Sequence, residues 1–242
     1  MNIAIILAGG EGRRMSAASL PKIPKQFLEF NNKSIIIYTI EHFEAHQDID
    51  AIIVVCHKSW IRHMETLLET AGIKKVTAVI AGGLTAQNSV YNGLLETSKN
   101  YPEDSIVLIH DGVRPMIDAE VISRCIDTAT QFGNAITTAH SIETIAMVKD
   151  NNSEVLNEVL DRNLCFIVRT PQAYKLCDVL SAYENAYGDN LDSFIDTSSL
   201  LQHYGHPLAF VVGPVLNIKI TTPADYYTFC ALKEAEKFGL ED

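Results

Sequence analysis

No window of about 18 consecutive apolar residues occurs in the chain, and the amino terminus lacks a charged region followed by a long apolar stretch. The expectation is a soluble, cytoplasmic protein. Cations are the minority charge, 19 Lys and Arg against 30 Asp and Glu, and the net charge of −11 argues against nucleic acid or an anionic membrane as a partner. Cys56, Cys125, Cys165, Cys177 and Cys230 are odd in number and widely spaced, without a C-x-x-C pair. That pattern argues against a disulfide framework or a zinc site and predicts buried thiols. The Walker pattern G-x-x-x-x-G-K-[ST] is missing. A dinucleotide fingerprint is missing too, because Met15 stands where a third small residue would have to follow Gly10 and Gly12. No break in composition divides the 242 residues, so 1–242 is read as one domain, long enough to bury most of its surface.

What is present alternates between β-rich runs and helical stripes. Strands are predicted at Ile3–Leu7, Ala51–Cys56, Val76–Ile80, Ser105–His110 and Ala135–His140. Between them Ile36, Ile40 and Phe43 recur at helical spacing, as do Ile61, Met64 and Leu68, and later Val121, Cys125 and Ala129. This order predicts an α/β fold, a mostly parallel twisted sheet with helices on both faces. In such sheets ligands bind beyond the carboxyl ends of the strands, so the loops after Leu7, Ile80 and His110 should share one side.

The first of these loops, Ala8-Gly9-Gly10-Glu11-Gly12, is followed by Arg13, Arg14 and Lys25. The glycines alone would serve an ordinary turn. With three cations beside them, their bare backbone N–H groups predict an anion site. The second loop, Ala81-Gly82-Gly83 running through Ser89, leads into a helix, whose amino terminus offers free N–H donors. It reads equally well as a plain strand-to-helix turn. The third, His110-Asp111-Gly112-Val113-Arg114-Pro115, puts a carboxylate at a strand end, which suits Mg²⁺ or merely caps the turn. Further on, Thr144–Val148 and Glu154–Leu160 flank a polar turn at Lys149–Ser153 and predict a projecting hairpin, about 141–163, which needs a partner to be stable. Near the carboxyl end, alternation in Ile218-Lys219-Ile220 predicts a strand with Lys219 on its polar face, followed by a helix capped by Thr222 with Pro223 and Asp225 in its first turn.

The glycine turn, the arginine and Pro24-Lys25-Gln26-Phe27 together resemble the nucleotidyltransferase signature, and in detail that of the cytidylyltransferases acting on 2-C-methylerythritol 4-phosphate or ribitol 5-phosphate. Asp111-Gly112-Val113-Arg114-Pro115, Asp161-Arg162-Asn163, Thr170-Pro171-Gln172 and the Lys219 segment match further motifs of that family in the same order, so the resemblance runs from Ala8 to Asp225. It implies a Rossmann-like nucleotidyltransferase domain whose β-arm is exchanged in a homodimer, with CTP and a polyol phosphate as substrates. CTP is then met by Ala8, Gly9, Gly10, Gly12, Gly82, Gly83 and Ser89. Arg14, Lys25 and Lys219 are the catalytic cations, and Asp111 holds Mg²⁺. The acceptor phosphate falls to Arg114, Thr144, Lys219 and, from the opposite subunit, Arg162.

Departures from the family pattern also stand in the sequence. The segment between Met15 and Pro24 is longer than usual and carries a second Pro-Lys, Pro21-Lys22. Lys25 is assigned the function because Gln26-Phe27 follow it. Ala86, Ala146 and Ile195 occupy positions where the family has an arginine, a lysine and a threonine. Loss of the last two argues for an acceptor pocket unlike that of the methylerythritol enzymes and favours ribitol 5-phosphate. Transfer of another nucleotide, use of a sugar phosphate, or a catalytically idle nucleotide-binding homologue remain the alternatives.

Overall fold

A run of apolar residues becomes β1 (Asn2–Ala8) because its side chains alternate between two cores. Ala4, Ile6 and Ala8 pack on one face, while Ile3 and Ile5 pack on the other. The computed structural model describes residues 1–10 and 23–236. β1 is flanked in parallel by β4 (Ala51–Cys56) and β6 (Ile106–Asp111), and β4 pairs in parallel with β5 (Val76–Ala81). On the other side of β6 lie β10 (Phe166–Lys175), β7 (Asn134–His140) and β11 (Phe210–Val212), completing the seven-stranded order β11-β7-β10-β6-β1-β4-β5. The five sequence-predicted strands are all present. β10 runs antiparallel to both its neighbours, and the sheet is otherwise parallel.

Both faces are covered. One carries α1 (Ile35–Ala45), α2 (Ile61–Thr70) and α4 (Ala119–Phe132), whose Ile36, Ile40, Phe43, Met64, Leu68, Val121 and Cys125 meet the sheet at the predicted spacing. The other carries α3 (Ala86–Asn100), α5 (Leu176–Gly188) and α6 (Thr197–His203) through Val90, Leu94, Val179 and Leu200. Each fully buried Ile or Leu stabilises the fold by roughly 1.5–3 kcal/mol, which is why a strand with both faces covered tolerates almost no polar residue. α7 (Pro223–Glu236) is the last described element, with Asp225 accepting from the Thr222 backbone N–H at 2.7 Å, as its capping sequence predicts. Among the described residues no helix is long and apolar enough to cross a membrane.

Two short ribbons stand apart from the sheet: β2 (Glu29–Phe30) with β3 (Lys33–Ser34), and β8 (Ala146–Val148) with β9 (Leu156–Val159). The second is the predicted hairpin, with shorter strands than expected and a register shift between Met147 and Val148. Met147, Val148, Val155, Leu156 and Val159 are all exposed on it. One expectation is corrected. Residues 217–221 form no strand, although Ile220 is buried and Lys219 is exposed as alternation required. This segment is extended but held by isolated bonds, such as Ile220 N–H to the Val113 carbonyl at 2.9 Å, and not by a ladder.

Candidate active site

The carboxyl ends of β1, β4, β5 and β6 open onto one cleft. A 660 Å³ cavity there is lined by Gly9, Gly10, Gly83, Ser89, Lys25 and Asp111 among others. A second, of 300 Å³, lies beside it under β10 and α6 and is lined by Arg114, Arg169, Gln172, Ile195 and Asp196. The two share Asp111 and Lys219 on their common wall.

Asp111 ends β6, and its position is fixed from three sides. Its N–H donates to Thr170 Oγ1 at 3.1 Å, and the following Gly112 N–H donates to the Leu7 carbonyl at 2.9 Å. A Cβ at Gly112 would lie 2.5 Å from Ile36 Cδ1 and 2.9 Å from that same carbonyl, so only glycine lets the loop close onto β1. The carboxylate accepts from Lys219 Nζ at 2.8 Å and Arg114 Nε at 2.9 Å. Burial would raise the Asp111 carboxyl, but these two charges and their hydrogen bonds outweigh it and hold the group at about 2. Arg114 is further tied by Nη1 to the Asn217 carbonyl at 2.9 Å. Neighbouring His110 is fully buried; burial pushes its imidazole down to about 3, and Nε2 sits 3.2 Å from the Arg114 carbonyl. It holds the loop and stays neutral.

Lys25 occupies a 3₁₀ turn, Lys25–Phe27, and its Nζ donates to the Ile220 carbonyl at 2.8 Å, next to Lys219. Gln26, buried beside it, donates to the Ala8 carbonyl at 2.7 Å and ties this turn to the end of β1. Lys25, Asp111 and Lys219 are thereby joined through neighbouring backbone, and the acidic protein gathers its cations where a phosphate would sit. Gly12 and Arg14 lie outside the described residues, as do Pro21 and Lys22. Ser89 lines the larger cavity. Its hydroxyl donates to the Thr85 carbonyl at 2.9 Å and accepts from the Gly83 N–H at 3.1 Å, so it braces the glycine loop. Gly82 lies just above this serine: a Cβ there would come 2.9 Å from Ser89 Oγ.

Thr144 and Arg162 are exposed at the base of the hairpin and line neither cavity of their own chain. Sequence reasoning missed the polar floor of the smaller cavity. There Gln172 donates to Asp196 Oδ2 at 2.8 Å, Tyr174 donates to Gln172, and Ser198 donates to Asp196 as well. The Asp196 signal was visible as the cap of α6, two residues before Ser198. Among the described residues no group of three or more His, Cys, Asp or Glu is placed to hold a metal. Asp111, the carboxylate that lines both cavities, is the residue that would hold Mg²⁺, a hard cation that one carboxylate can bind.

A doubly covered α/β sheet with a cation-lined cleft beyond its strand ends suits an anionic ligand such as a nucleotide. The family described as IspD, 2-C-methyl-D-erythritol 4-phosphate cytidylyltransferase, matches residues 2–232, and the chain belongs to it. A ribitol-5-phosphate cytidylyltransferase of Streptococcus agalactiae is 44% identical over 237 residues, covering 98% of this chain and 97% of the relative. A 2-C-methyl-D-erythritol 4-phosphate cytidylyltransferase of Clostridium botulinum is 36% identical over 224 residues, 93% of each. The solved 4-diphosphocytidyl-2C-methyl-D-erythritol synthase of Anaerococcus prevotii superposes with a TM-score of 0.79 at 26% identity over 96% of both chains. The protein is a cytidylyltransferase.

Proposed function

We propose that the protein transfers the cytidylyl group of CTP to ribitol 5-phosphate, giving CDP-ribitol and pyrophosphate. The observation that carries this reading is the wall of Asp111 and Lys219 common to the two cavities. CTP in the larger cavity and the polyol phosphate in the smaller one bring an acceptor oxygen against the α-phosphorus at that wall. The oxygen attacks in line, the new P–O bond forms as the bond to the β-phosphate oxygen breaks, and pyrophosphate leaves with the electron pair. No covalent nucleophile is needed; the protein positions the groups and neutralises charge. Lys219 screens the phosphates at the shared wall. Lys25 does so from the larger cavity, Arg14, outside the described residues, is assigned the same task, and the helix-leading Gly82-Gly83 turn supplies backbone donors to the nucleotide. Asp111 would hold Mg²⁺, which would supply charge neutralisation to the phosphates.

Ribitol 5-phosphate is favoured because Ile195, 94% exposed at the rim of the smaller cavity, offers no side-chain hydrogen bond, and because relatives 41% to 44% identical carry that name. A cytoplasmic homodimer belongs to the same proposal. The exposed apolar hairpin supports it, as does the exposure of Thr144 and Arg162 away from their own cleft, from where they would serve the partner's acceptor phosphate. Steady-state rates of pyrophosphate release with CTP and each acceptor in turn test the reading. kcat/KM should be higher for ribitol 5-phosphate than for 2-C-methylerythritol 4-phosphate; the reverse order overturns it.

A further inference from the structure

Arg169 sits on β10 where the register with β7 breaks, between Val168 and Gln172, and only 9% of it is exposed. Nη1 donates to the carbonyls of Pro214 at 3.2 Å and Val215 at 2.7 Å. Among the described residues no carboxylate pairs with it. The described ion pairs involve Lys33, Lys99, Arg114, Arg124, Lys219 and Lys233 instead. A second cation stands nearby: burial, and then the Arg114 charge, lower the pKa of the Arg169 guanidinium. Of the three cations lining the smaller cavity, Arg114 and Lys219 both pair with Asp111, and the cavity's other carboxylate, Asp196, is engaged by Gln172 and Ser198. Among the described residues Arg169 is the one cation of this lining without a direct ion pair, and the three cations outnumber the two carboxylates. A guanidinium kept out of water without a counter-ion is unfavourable unless an anion arrives to pair with it. Nη1 is anchored on two carbonyls, while among the described residues Nε and Nη2 have no hydrogen-bond acceptor, which leaves these donors of the planar guanidinium for an oxyanion.

Resting on the proposed cytidyl transfer to a polyol phosphate, we propose that Arg169 is an acceptor-binding residue that takes the phosphate of the acceptor from the β10 side of the smaller cavity. It would supply from the opposite strand the polar contact that Ile195 cannot make. This also gives the register break a use, since the break places this side chain at the cavity wall.

The test compares Arg169→Gln and Arg169→Lys with the unaltered full-length protein, using CTP and ribitol 5-phosphate for kinetics and inorganic phosphate as a calorimetric probe. For Arg169→Gln, loss of a charge-assisted bidentate contact should raise the acceptor KM about ten- to a hundredfold while the CTP KM stays within about twofold. Arg169→Lys, which keeps the charge but not the fork, should fall between. Inorganic phosphate affinity should drop in the same order. An equal loss of CTP and acceptor affinity would show that Arg169 merely braces Pro214 and Val215, and unchanged values in both would show no role; either result overturns the proposal. If the unaltered protein released no pyrophosphate with any polyol phosphate, the proposed function would fail by itself, and the phosphate titrations would still decide the role of Arg169.

Discussion

Replacing Asp111 by Asn removes the one negative charge between Lys219 and Arg114 with little change of shape. Each pKa unit is worth roughly 1.4 kcal/mol, so holding this carboxyl from 3.8 down to about 2 corresponds to ~2 kcal/mol of stability at neutral pH. The share owed to Arg114 counts nearly in full, since both side chains of that pair are no more than 15% exposed. The share owed to Lys219, 41% exposed, is reduced by solvent screening, which brings the expected loss to about 1–2 kcal/mol. Because the folded pKa is depressed, the contribution is complete above the unfolded value near 4 and disappears as pH falls through about 2. Urea titrations at pH 7 and pH 3 should therefore show the Asn variant less stable at pH 7, with a smaller gap at pH 3. Turnover at pH 7 should fall by about 10²-fold, because charge stabilisation at a preorganised site is lost. A stability gap that was the same at both pH values would refute the ionic account of Asp111.

Lys25→Ala should lower kcat by about 10²-fold in pyrophosphate release, partly through release of the Ile220 carbonyl and the Lys219 segment, whereas Lys22→Ala should be nearly silent. Charging the hairpin by Val155→Asp together with Val159→Asp should shift sedimentation toward the monomer, and a monomeric unaltered protein would count against the arm as an interface. Ile195→Thr should raise kcat/KM for 2-C-methylerythritol 4-phosphate relative to ribitol 5-phosphate by about tenfold, the worth of one hydrogen bond to a charged group.

The parts of this molecule that sequence makes legible are those whose signal is local. β1, its glycine exit and the Asp111 loop each occupy fewer than about ten consecutive residues, and apolar runs ending in glycine or Asp state both the strand and its end. β10 was hidden because Thr170-Pro171 interrupts it; a proline inside a run argues against a central strand, and here the register shift around it is what accommodates it. The Lys219 segment misled in the opposite sense. Alternation of Ile218, Lys219 and Ile220 records only which side chains are buried, and one bond to Val113 produces the same pattern as a ladder would. Ser89 was legible as part of the strand-to-helix turn and lies in the first turn of α3, but the destination of its hydroxyl depends on the backbone of Gly83, six residues back. Arg169 and the Gln172–Asp196 pair depend on contacts 24 to 46 residues apart, beyond the reach of any local spacing.

The central claim is direct cytidylyl transfer at the wall of Asp111 and Lys219, and ³¹P NMR of the protein with CTP, Mg²⁺ and ribitol 5-phosphate observes it most directly. The prediction is that the acceptor monophosphate signal and the CTP triphosphate signals decline together while a diphosphate diester and pyrophosphate grow in equal amounts. Conversion of CTP to CDP and inorganic phosphate, or unchanged CTP in the presence of the acceptor, would contradict it.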